Sequence, residues 1–516
     1  MLRKIRVIAA VICFALITCL FLDFTGILHV WFGWLVKIQL IPAILAVNVI
    51  ILLILTACTL AFGRIYCSVI CPLGVLQDGI SNLSGRRKGK KNRFRYSQAI
   101  SWLRYGILAL FVVGLVAGIS IIVSLLDPYA AYGRIANNLF ASLYGLGNNL
   151  LASFEKSIDS YLFYPTEVWI KSGVVLGIAI VTLALVSILA WKNGRTYCNM
   201  ICPVGTMLGF LSRFSFYHPT FDEEKCTKCG LCEKACKASC IDSKNLTIDR
   251  SRCVTCFNCI EKCKFNAMNY APSIIRAEKT DPTIQQPDGE RTKGMERAGF
   301  LSIIGSLAVV NTVKAQQLQM DGGLADIEDK KVPHRHTPVV PPGAKGAGHM
   351  KQHCTACQLC VSACPNEILR PSTKLSTFMQ PEMSFERGYC RPECVECSKV
   401  CPTSAIQEIT TADKTAIAIG QAVWIKDNCV VNTEKLACTA CERHCPTKAI
   451  TLIPVHPETQ QEESPAGFPG RRRSPELKYP VIDKELCIGC GACEYLCPAR
   501  PFSAIYVEGN VRHHTV

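Results

Sequence analysis

The stretch CTKCGLCEKAC at residues 226–236 decides the fold of the chain around it, and CVTCFNCIEKC repeats its pattern at residues 253–263. Three cysteines separated by two residues form a tight turn whose sulfurs converge on one iron–sulfur cube, and the fourth cysteine reaches the neighbouring cube. The tandem pattern therefore predicts two 4Fe-4S clusters. Their ligands are Cys226, Cys229, Cys232 and Cys263 for one, and Cys253, Cys256, Cys259 and Cys236 for the other.

These thiols have two alternative uses. Structural zinc is the first, but zinc motifs usually consist of separated Cys-x2-Cys pairs. A disulfide framework is typical of small secreted domains, whereas this chain has 516 residues and regularly spaced cysteines. Cys240 is a spare thiol beside the first run, and it is either an inert buried side chain or an alternative ligand to Cys236.

Four further cysteine groups follow in the last third of the chain, and each ends in Cys-Pro. The two outer groups are regular, while the two middle groups open with three and eight intervening residues. The irregular loops suggest that the middle groups pair with each other and the first group pairs with the fourth. The ligands are Cys354, Cys357, Cys360, Cys364, Cys390, Cys394, Cys397, Cys401, Cys429, Cys438, Cys441, Cys445, Cys487, Cys490, Cys493 and Cys497.

These groups account for 24 of the 32 cysteines and predict about six 4Fe-4S clusters, whose assembly requires reducing conditions. Closely spaced one-electron centres form a path for electrons, whereas a binding scaffold has no use for six of them. The pattern therefore indicates electron transfer.

The first 200 residues contain long apolar stretches, and 49% of the whole chain is hydrophobic. Stretches of this length predict membrane-spanning helices. The first is flanked by Arg3, Lys4 and Arg6, and a cleaved signal peptide is its alternative interpretation. The four predicted spans are Val7–Leu22, Leu40–Phe62, Tyr105–Leu126 and Ser172–Trp191.

Charge predicts the topology. The net charge is +16, and seven basic residues lie between Arg86 and Arg95, where they mark the cytoplasmic side of a membrane. The basic residues do not form a spread binding face, so nucleic acid is not an expected partner. We expect the chain to begin inside, to cross four times and to place its first ferredoxin domain in the cytoplasm.

A shorter apolar stretch, 298–313, predicts a fifth span or a signal-like segment, with a short buried or amphipathic helix as the alternative. A fifth span would put the last module on the extracytoplasmic side of the membrane. The predicted fold is a membrane α-helical domain of four spans plus a fifth, joined to α+β ferredoxin-like iron–sulfur domains. The domains are 1–215 (membrane), 216–275 (two clusters), 276–348 (linker) and 349–516 (four clusters).

The membrane domain contains an internal repeat. The segment GRIYCSVICPLG at residues 63–74 matches GRTYCNMICPVG at residues 194–205. Each copy follows a span directed from outside to inside, which indicates a duplication with parallel repeats. The candidate cofactor-binding residues are Arg64, Cys67, Cys71, Arg195, Cys198 and Cys202.

Three interpretations of the four thiols remain open: a further metal centre between the repeats, a redox or quinone-adjacent site without metal, and a structural helix end. Arg64 and Arg195 are candidates for binding a quinone head group or lipid phosphates, with interfacial anchoring as the alternative.

The repeated Tyr-Cys-x3-Ile-Cys-Pro motif, the four spans and the two-cluster tail resemble NapH-type membrane subunits of periplasmic nitrate reductase systems, over about Met1–Ser273. The four-group module resembles NapG/MauM-type ferredoxins, over about Met295–Val516. Those proteins carry a twin-arginine export signal, whereas the corresponding segment here has the single Arg297. The resemblance implies a fusion that takes electrons from quinol and passes them to an extracytoplasmic reductase.

We therefore expect a multi-pass protein of the cytoplasmic membrane that contacts lipid, the quinone pool and a partner oxidoreductase. The chain has no haem-attachment motif and no dinucleotide fingerprint, so the partner should carry the substrate chemistry. The alternative function is a redox assembly or maturation factor for another metalloenzyme, in which the four repeat thiols act. A redox sensor is the third hypothesis.

Overall fold

A computed structural model describes residues 1–23, 26–87, 94–155, 164–166, 168–272, 320–321, 325–326, 328–455 and 477–516. The predicted fifth span and Arg297 lie outside these residues, as does part of the basic run. In the amino-terminal 212 residues, the described secondary structure consists of helices joined by loops. The helices are Leu2–Leu22, Ile27–Phe32, Trp34–Lys37, Leu40–Leu45, Val49–Phe62, Ile65–Val69, Pro72–Arg87, Ser101–Val116, Ser120–Leu126, Pro128–Ile135, the π-helix Ala136–Phe140, Ala141–Glu155, Gly173–Asn193, Thr196–Met200 and Pro203–Ser212.

Two helices in the described part of the chain are long and apolar enough to cross a membrane. The first long helix is Leu2–Leu22 and the second long helix is Gly173–Asn193, each with a mean hydropathy of 2.7. Apolar length alone is weak evidence, because a buried core helix or a signal sequence has the same composition.

The other two predicted spans differ from the prediction, because each is interrupted. Leu40–Phe62 is divided between Leu45 and Val49. Val47 adopts a left-handed φ of 52°, and the Asn48 side chain accepts a hydrogen bond from the amide of Ile51 at 3.2 Å, which starts a new helix.

The interruption of the third predicted span, Tyr105–Leu126, has a different cause. Gly118 adopts a φ of 68° between the helices Ser101–Val116 and Ser120–Leu126. A glycine takes this left-handed conformation without the steric penalty of a side chain, so it ends a helix readily. Hydropathy does not register such a turn, which is why the sequence predicted an unbroken helix here.

The first module, predicted over residues 216–275 and described by the structure up to Pro272, has the predicted α+β ferredoxin fold. Tyr217–Phe221 pairs antiparallel with Met268–Pro272, and Ile241–Asp242 pairs with Thr247–Ile248. Short helices, Leu231–Ala235 and Asn258–Lys262, hold the third cysteine of each run.

The second module also consists of short helices and antiparallel pairs. Leu369–Pro371 pairs with Pro381–Met383, Ile417–Trp424 with Ile505–Thr515, and Ile450–Pro454 with Lys478–Ile482. Its helices are Ala347–His353, Leu359–Ser362, Glu396–Val400, Thr411–Ala416, Val430–Thr433, Ala440–Arg443, Ala492–Leu496 and the 3-10 turns Leu375–Thr377 and Lys426–Asn428. A two-residue pair, Met320–Asp321 with Ala325–Asp326, precedes it.

The predicted boundary at residue 349 is too late. Residues 328–348 were predicted as linker, but Val339 is fully buried and its carbonyl accepts a hydrogen bond from the amide of Met383 at 2.8 Å. The Arg335 guanidinium forms a buried ion pair of 2.5 Å with Glu494. The proline-rich composition suggested a linker, whereas these contacts make the segment part of the second module, which we define as residues 328–516.

Replacing Arg335 with Ala should destabilise the second module by about 3 kcal/mol, because the Glu494 carboxylate would remain buried without its cation. Chemical denaturation followed by the loss of cluster absorbance measures this change. Lys331→Ala is the matched control, since its pair with Glu328 is 3.8 Å long and exposed. Equal stability of the two variants would contradict the assignment of residues 328–348 to this module.

The first long helix contacts both modules. At its start, Arg3 forms an ion pair with Glu261 of the first module. At its end, Phe21 is buried against Gly133, and Gly133 packs on the carbonyl oxygen of Cys357 in the second module. Twenty-one residues of helix span about 32 Å. The two modules therefore lie at opposite ends of this helix.

The second long helix has the same arrangement in the reverse direction. Just before its start, the Lys171 ammonium donates to the carbonyl of Val361 in the second module at 3.1 Å. Just after its end, the amide of Arg195 donates to the carbonyl of Lys237 in the first module at 2.9 Å. Both long helices thus separate the modules by their full length.

Candidate metal centres

The structure brings together both quartets predicted for the first module. One cavity is lined by Cys226, Cys229, Cys232 and Cys263. The other is lined by Cys236, Cys253, Cys256 and Cys259. The fourth cysteine of each run therefore belongs to the other cavity, as the tandem spacing predicts.

The second module pairs its groups differently from the prediction. Cys364 from the first group lines one cavity with Cys390, Cys394 and Cys397 from the second. In return, Cys401 lies within electrostatic reach of Cys354, Cys357 and Cys360. The first group therefore exchanges its fourth cysteine with the second group, and not with the fourth group.

The third and fourth groups form the other pair. Cys497 lines a cavity with Cys429, Cys438 and Cys441. Cys445 lies within electrostatic reach of Cys490, and Cys490 neighbours both Cys487 and Cys493. The inserted residues after Cys429 form the helix Val430–Thr433, so the irregular loop is absorbed locally and does not change the pairing.

The pair formed by the first and second groups meets the pair formed by the third and fourth groups at Cys390 and Cys490. The amide of Cys390 donates to the carbonyl of Cys490 at 2.9 Å. We name each quartet by one of its ligands. The four quartets then follow one another in the order Cys357, Cys390, Cys490 and Cys429. The Cys357 quartet lies nearest the long helices, because Cys357 contacts Gly133.

The exchange of the fourth cysteine between runs fits paired cubane clusters better than zinc, because structural zinc motifs usually consist of separated Cys-x2-Cys pairs. Among the residues that the structure describes, no three His, Cys, Asp or Glu side chains are placed to hold a single metal ion.

Several backbone amides point at the ligand sulfurs. The amides of Ala267, Ala449 and Ala504 donate to Cys263, Cys445 and Cys497 at 3.2, 3.2 and 3.3 Å. Hydrogen bonds to sulfur raise the reduction potential of a cluster, so each module has a built-in means of tuning its centres. Burial raises the pKa of Cys357 to about 12, so a metal must supply the charge that holds this sulfur as a thiolate.

The spare thiol Cys240 is not remote from the clusters. It lines the same cavity as Cys236, and the two sulfurs are 3.5 Å apart. A thiol in this position can replace Cys236 as ligand or donate an S–H hydrogen bond to it.

Cys236→Ala should retain nearly all of its iron, because Cys240 can replace the lost ligand, but the electron paramagnetic resonance (EPR) signal of that cluster should change. The double variant Cys236→Ala/Cys240→Ala should lose about four iron atoms. Iron analysis with EPR measures both effects, and Cys240→Ala alone is the control. A single variant that loses as much iron as the double variant would show that Cys240 is no substitute.

The two copies of the membrane repeat face each other across four buried thiols. Cys67, Cys71, Cys198 and Cys202, the four-thiol group, are each only 3–4% exposed. The Arg64 guanidinium crosses to the carbonyl of Cys198 at 3.3 Å, and the Arg195 guanidinium crosses to the carbonyl of Cys67 at 2.6 Å. Each arginine therefore binds the backbone of the other copy of the repeat.

This geometry corrects the lipid-binding interpretation of Arg64 and Arg195. Both side chains are fully buried, so they neither reach lipid phosphates nor anchor the chain at an interface. Their nitrogens also lie near thiols, with Arg64 at 4.0 Å from the sulfur of Cys67 and Arg195 at 3.9 Å from that of Cys198.

The sequence reasoning missed Asp78 and Gln77, which support this group. The Asp78 carboxylate accepts from Arg195 at 2.8 Å and from Arg6 at 2.9 Å, and lies 3.4 Å from Lys237. The Gln77 amide donates to the sulfur of Cys198 at 3.2 Å. The sequence did contain a signal for the role of Asp78, because it is the only acidic residue in the helix Pro72–Arg87.

Paired ferredoxin quartets in two modules define an iron–sulfur electron-transfer protein of the polyferredoxin class. Three family models match parts of the chain. A model described as a 4Fe-4S binding domain matches residues 44–91 and 173–216. A second 4Fe-4S binding domain matches residues 217–238, and a 4Fe-4S dicluster domain matches residues 436–500. The chain belongs to the family of ferredoxin-type proteins that includes NapG.

Curated relatives support this assignment. NapG of Escherichia coli is 30% identical over 34% of this chain and 74% of its own length. The methylamine utilization ferredoxin-type protein MauM of Methylobacillus flagellatus is 28% identical over 42% of this chain and 83% of its own. NapF of Escherichia coli is 27% identical over 33% of this chain and 86% of its own length. No solved structure matches the chain.

Proposed function

We propose that this protein is a membrane-bound carrier that takes electrons from the quinol pool and passes them through six 4Fe-4S clusters to an extracytoplasmic oxidoreductase. The observation that carries the proposal is the position of the two modules at opposite ends of both long helices. A helix of about 32 Å matches the hydrocarbon core of a bilayer, which is about 30 Å thick.

The charge pattern supplies the orientation. Arg3, Lys4 and Arg6 begin the first long helix, and basic residues favour the cytoplasmic side. In this orientation the first module lies in the cytoplasm and the second lies outside. The chain must then cross between residues 272 and 328, and the apolar stretch 298–313 is our candidate for that crossing.

The interrupted helices fit a membrane domain of four crossings. A break in a membrane helix is tolerated where local adjustments satisfy the freed backbone groups. At the first break the amide of Asn48 donates to the carbonyl of Ala43 at 3.0 Å, and at the second the amide of Ile119 donates to the carbonyl of Gly114 at 2.8 Å. We therefore propose that Leu40–Phe62 and Tyr105–Leu126 cross the membrane as broken helices.

A cavity between the helices and the first module is our candidate for the quinol head group. It has a volume of about 420 Å³ and is lined by Tyr96, Arg104, Asn199 and Arg252, among others. Its polar and apolar surfaces suit a ring that carries two hydroxyl groups. Asn199 also accepts a hydrogen bond from Arg64 at 2.9 Å, which connects the cavity to the four-thiol group.

The electrons would leave at the far end of the second module. The Cys429 quartet is the last in the order of the four, and Leu436 beside it is 57% exposed. Surface next to a terminal cluster suits a partner that accepts one electron at a time.

The maturation-factor hypothesis is less well supported. A thiol that reduces a partner must be reached by the disulfide or metal of that partner. The four thiols are 3–4% exposed, so direct exchange with another protein would require the membrane domain to open.

Full-length protein in liposomes tests the proposal. Adding a reduced quinol under anaerobic conditions should produce the EPR signals of reduced clusters, and a membrane-impermeant oxidant outside should then reoxidise them. Clusters that stay oxidised with quinol but become reduced with dithionite would exclude quinol as the donor.

A reporter fused after Val516 tests on which side of the membrane the second module lies. Reporter activity only in the cytoplasm would contradict the proposed topology.

A further inference from the structure

We propose that the cavity beside the first module binds the quinol as its monoanion, with Arg104 as the cation that stabilises the negative charge. We also infer that the electrons enter the chain at the Cys253 quartet, which consists of Cys236, Cys253, Cys256 and Cys259. This inference rests on the proposed function. It adds the charge state of the substrate, the residue that stabilises it and the point at which the electrons enter.

The walls of the cavity carry positive charge. They include Arg95, Arg104 and Arg252, and none of the lining residues that the structure describes is an aspartate or a glutamate. Arg95 is exposed, whereas Arg104 and Arg252 are only 2% and 3% exposed. Charges that are shielded from water interact more strongly than charges in solution, so the cavity favours an anionic ligand.

The two buried arginines differ in their partners. Nε of Arg252 donates to the Asp249 carboxylate at 2.7 Å. Arg104 forms no ion pair with a described carboxylate, because its Nη1 and Nη2 donate to the hydroxyl and the carbonyl of Ser251 at 3.2 and 3.4 Å. Nε of Arg104 is buried without a hydrogen-bond partner. A buried cation without a counter-charge is costly, so an anion in the cavity would balance the charge of Arg104.

Two residues of the first module fix the position of Arg104. The Ser251 hydroxyl donates to Asp249 at 2.6 Å, and the Ser251 amide donates to the same carboxylate oxygen at 3.0 Å. Because its proton points at Asp249, the hydroxyl oxygen is free to accept from Arg104. Gly209 packs on the other side of this serine, since a methyl group there would lie 2.5 Å from the Ser251 carbonyl. Asp249 and Ser251 are therefore positioning residues.

The size of the cavity favours a ring over a small inorganic anion. Its volume is about 420 Å³, and Phe94, Ile100 and Met200 supply apolar surface. Pockets of this size bind small organic molecules, with apolar walls around a few polar groups. Ile100 immediately precedes the apolar helix Ser101–Val116, so the cavity lies at the end of a helix that we propose as part of a membrane crossing.

The cavity shares a wall with the Cys253 quartet. Ala238 lines both the quinol cavity and the cavity of this quartet, and Arg252 directly precedes Cys253 in the chain. The Asn199 amide donates to the Ala238 carbonyl at 3.3 Å, which fixes this wall against the second repeat. The cavity of the Cys226 quartet has no described lining residue in common with the quinol cavity. A ring in the cavity therefore adjoins the Cys253 quartet.

The oxidation balances in protons and electrons. The quinol first loses one proton to water and becomes the monoanion, whose charge Arg104 stabilises. The ring then gives two electrons, one at a time, to the cluster bound by the Cys253 quartet, and its second proton leaves with the second electron. Each electron moves on to the next cluster before the following one arrives. The product is the neutral quinone, which Arg104 binds less tightly than the anion.

The acids near the cavity lie behind its lining. The charged and titratable groups around the ring are Arg95 and Tyr96 from the segment 94–100, Arg104 from the helix Ser101–Val116, Arg252, Asp249 and Glu233 from the first module, and Arg64 behind Asn199 of the second repeat. The arginines that line the cavity make its field positive, and a positive field favours the charged form of an acid. The quinol should therefore lose its first proton at a lower pH in the cavity than in water.

The pH dependence of cluster reduction tests the inference. Full-length protein in liposomes is mixed anaerobically with menadiol, a short quinol, and the rate of cluster reduction is followed by absorbance over a range of pH. Arg104→Gln should slow this rate by about 100-fold at neutral pH, because the charge that stabilises the anion is lost. The rate should recover as the pH rises and the quinol ionises unaided. Arg104→Lys retains the charge and should keep most of the rate.

Asp249→Asn should shift the pH profile in the opposite direction. The asparagine still accepts a hydrogen bond from Ser251, but it leaves Arg252 without its counter-charge and makes the cavity more positive. The full rate should therefore be reached at a lower pH than in the wild type. Arg213→Gln is the matched control, because the exposed Arg213 bonds to the Tyr105 hydroxyl at 2.9 Å and does not line the cavity. It should leave the profile unchanged.

The possible results separate this inference from the proposed function. If menadiol reduced the wild-type clusters but Arg104→Gln had the rate and pH profile of Arg213→Gln, the inference would be overturned and the proposed function would stand. Equal slowing at every pH in the Arg104 and Asp249 variants would indicate a merely structural role and would also overturn it. Wild-type clusters that only dithionite reduces would contradict the proposed function itself. Asp249→Asn decides even if Arg104→Gln fails to fold.

Discussion

Asp78→Asn should destabilise the membrane half by about 3–5 kcal/mol, because one buried carboxylate serves three cations. The Asp78 side chain is 9% exposed, and those of Arg6, Arg195 and Lys237 are 5%, 0% and 4% exposed. Asparagine has the same shape but no charge, so it leaves all three cations without their partner. Thermal unfolding in detergent measures the loss.

The pH dependence of this carboxylate has a definite sign. Burial alone would raise the pKa of Asp78, but Arg195, Lys237 and Arg6 hold it well below its usual range. Its contribution to stability is therefore complete above about pH 4 and is lost as the pH falls towards the folded-state pKa. The Asn variant should lack this acid-sensitive part of the stability.

Asp222→Asn is the matched control, because Asp222 forms an exposed ion pair with Lys225 in the first module. It should leave the thermal transition unchanged. If the Asp78 and Asp222 variants were equally stable, the buried network would not be what holds the repeats together.

Gly205→Ala should disrupt the four-thiol group. A methyl group there would lie too close to the carbonyl of Cys198 and 2.8 Å from Nη2 of Arg64. A backbone carbonyl does not give way, so the helix Pro203–Ser212 must shift and carry Cys202 with it. Gly74→Ala, in the other repeat, should act in the same way, because a methyl group there would meet the carbonyl of Cys67 and Arg195.

Overpacking of this kind costs about 1–3 kcal/mol and sometimes more. Gly79→Ala is the control, since it lies in the same helix as Gly74 and its added methyl group would meet nothing within 4 Å. It should stabilise the helix by up to about 1 kcal/mol. Thermal unfolding and thiol accessibility to a maleimide measure these effects, and a Gly205→Ala variant indistinguishable from Gly79→Ala would contradict the close approach of the repeats.

The ligand sets of the first module could be predicted because Cys-x2-Cys-x2-Cys-x3-Cys is a local pattern that fixes its own geometry. The pairing in the second module could not. Insertions between cysteines suggested that the irregular groups belong together, but Cys364 and Cys401 exchange places between consecutive groups. Chain order determined the pairing, and loop length did not.

The membrane repeat shows a different limit. Its duplication was visible in the sequence, and it correctly indicated two equivalent copies. The direction of Arg64 and Arg195 was not visible, because an arginine beside an apolar stretch normally lies at an interface. Only the apposition of the copies buries both guanidinium groups. Similarly, composition does not show the turns at Val47 and Gly118 that interrupt two helices.

The central claim is that cysteine quartets in both modules bind iron–sulfur cubes. The most direct test is the iron and acid-labile sulfide content of the full-length protein, purified without oxygen. We predict at least about 24 atoms of each per chain, with EPR signals of cubane clusters after reduction. Zinc in place of iron, or iron without labile sulfide, would contradict the account.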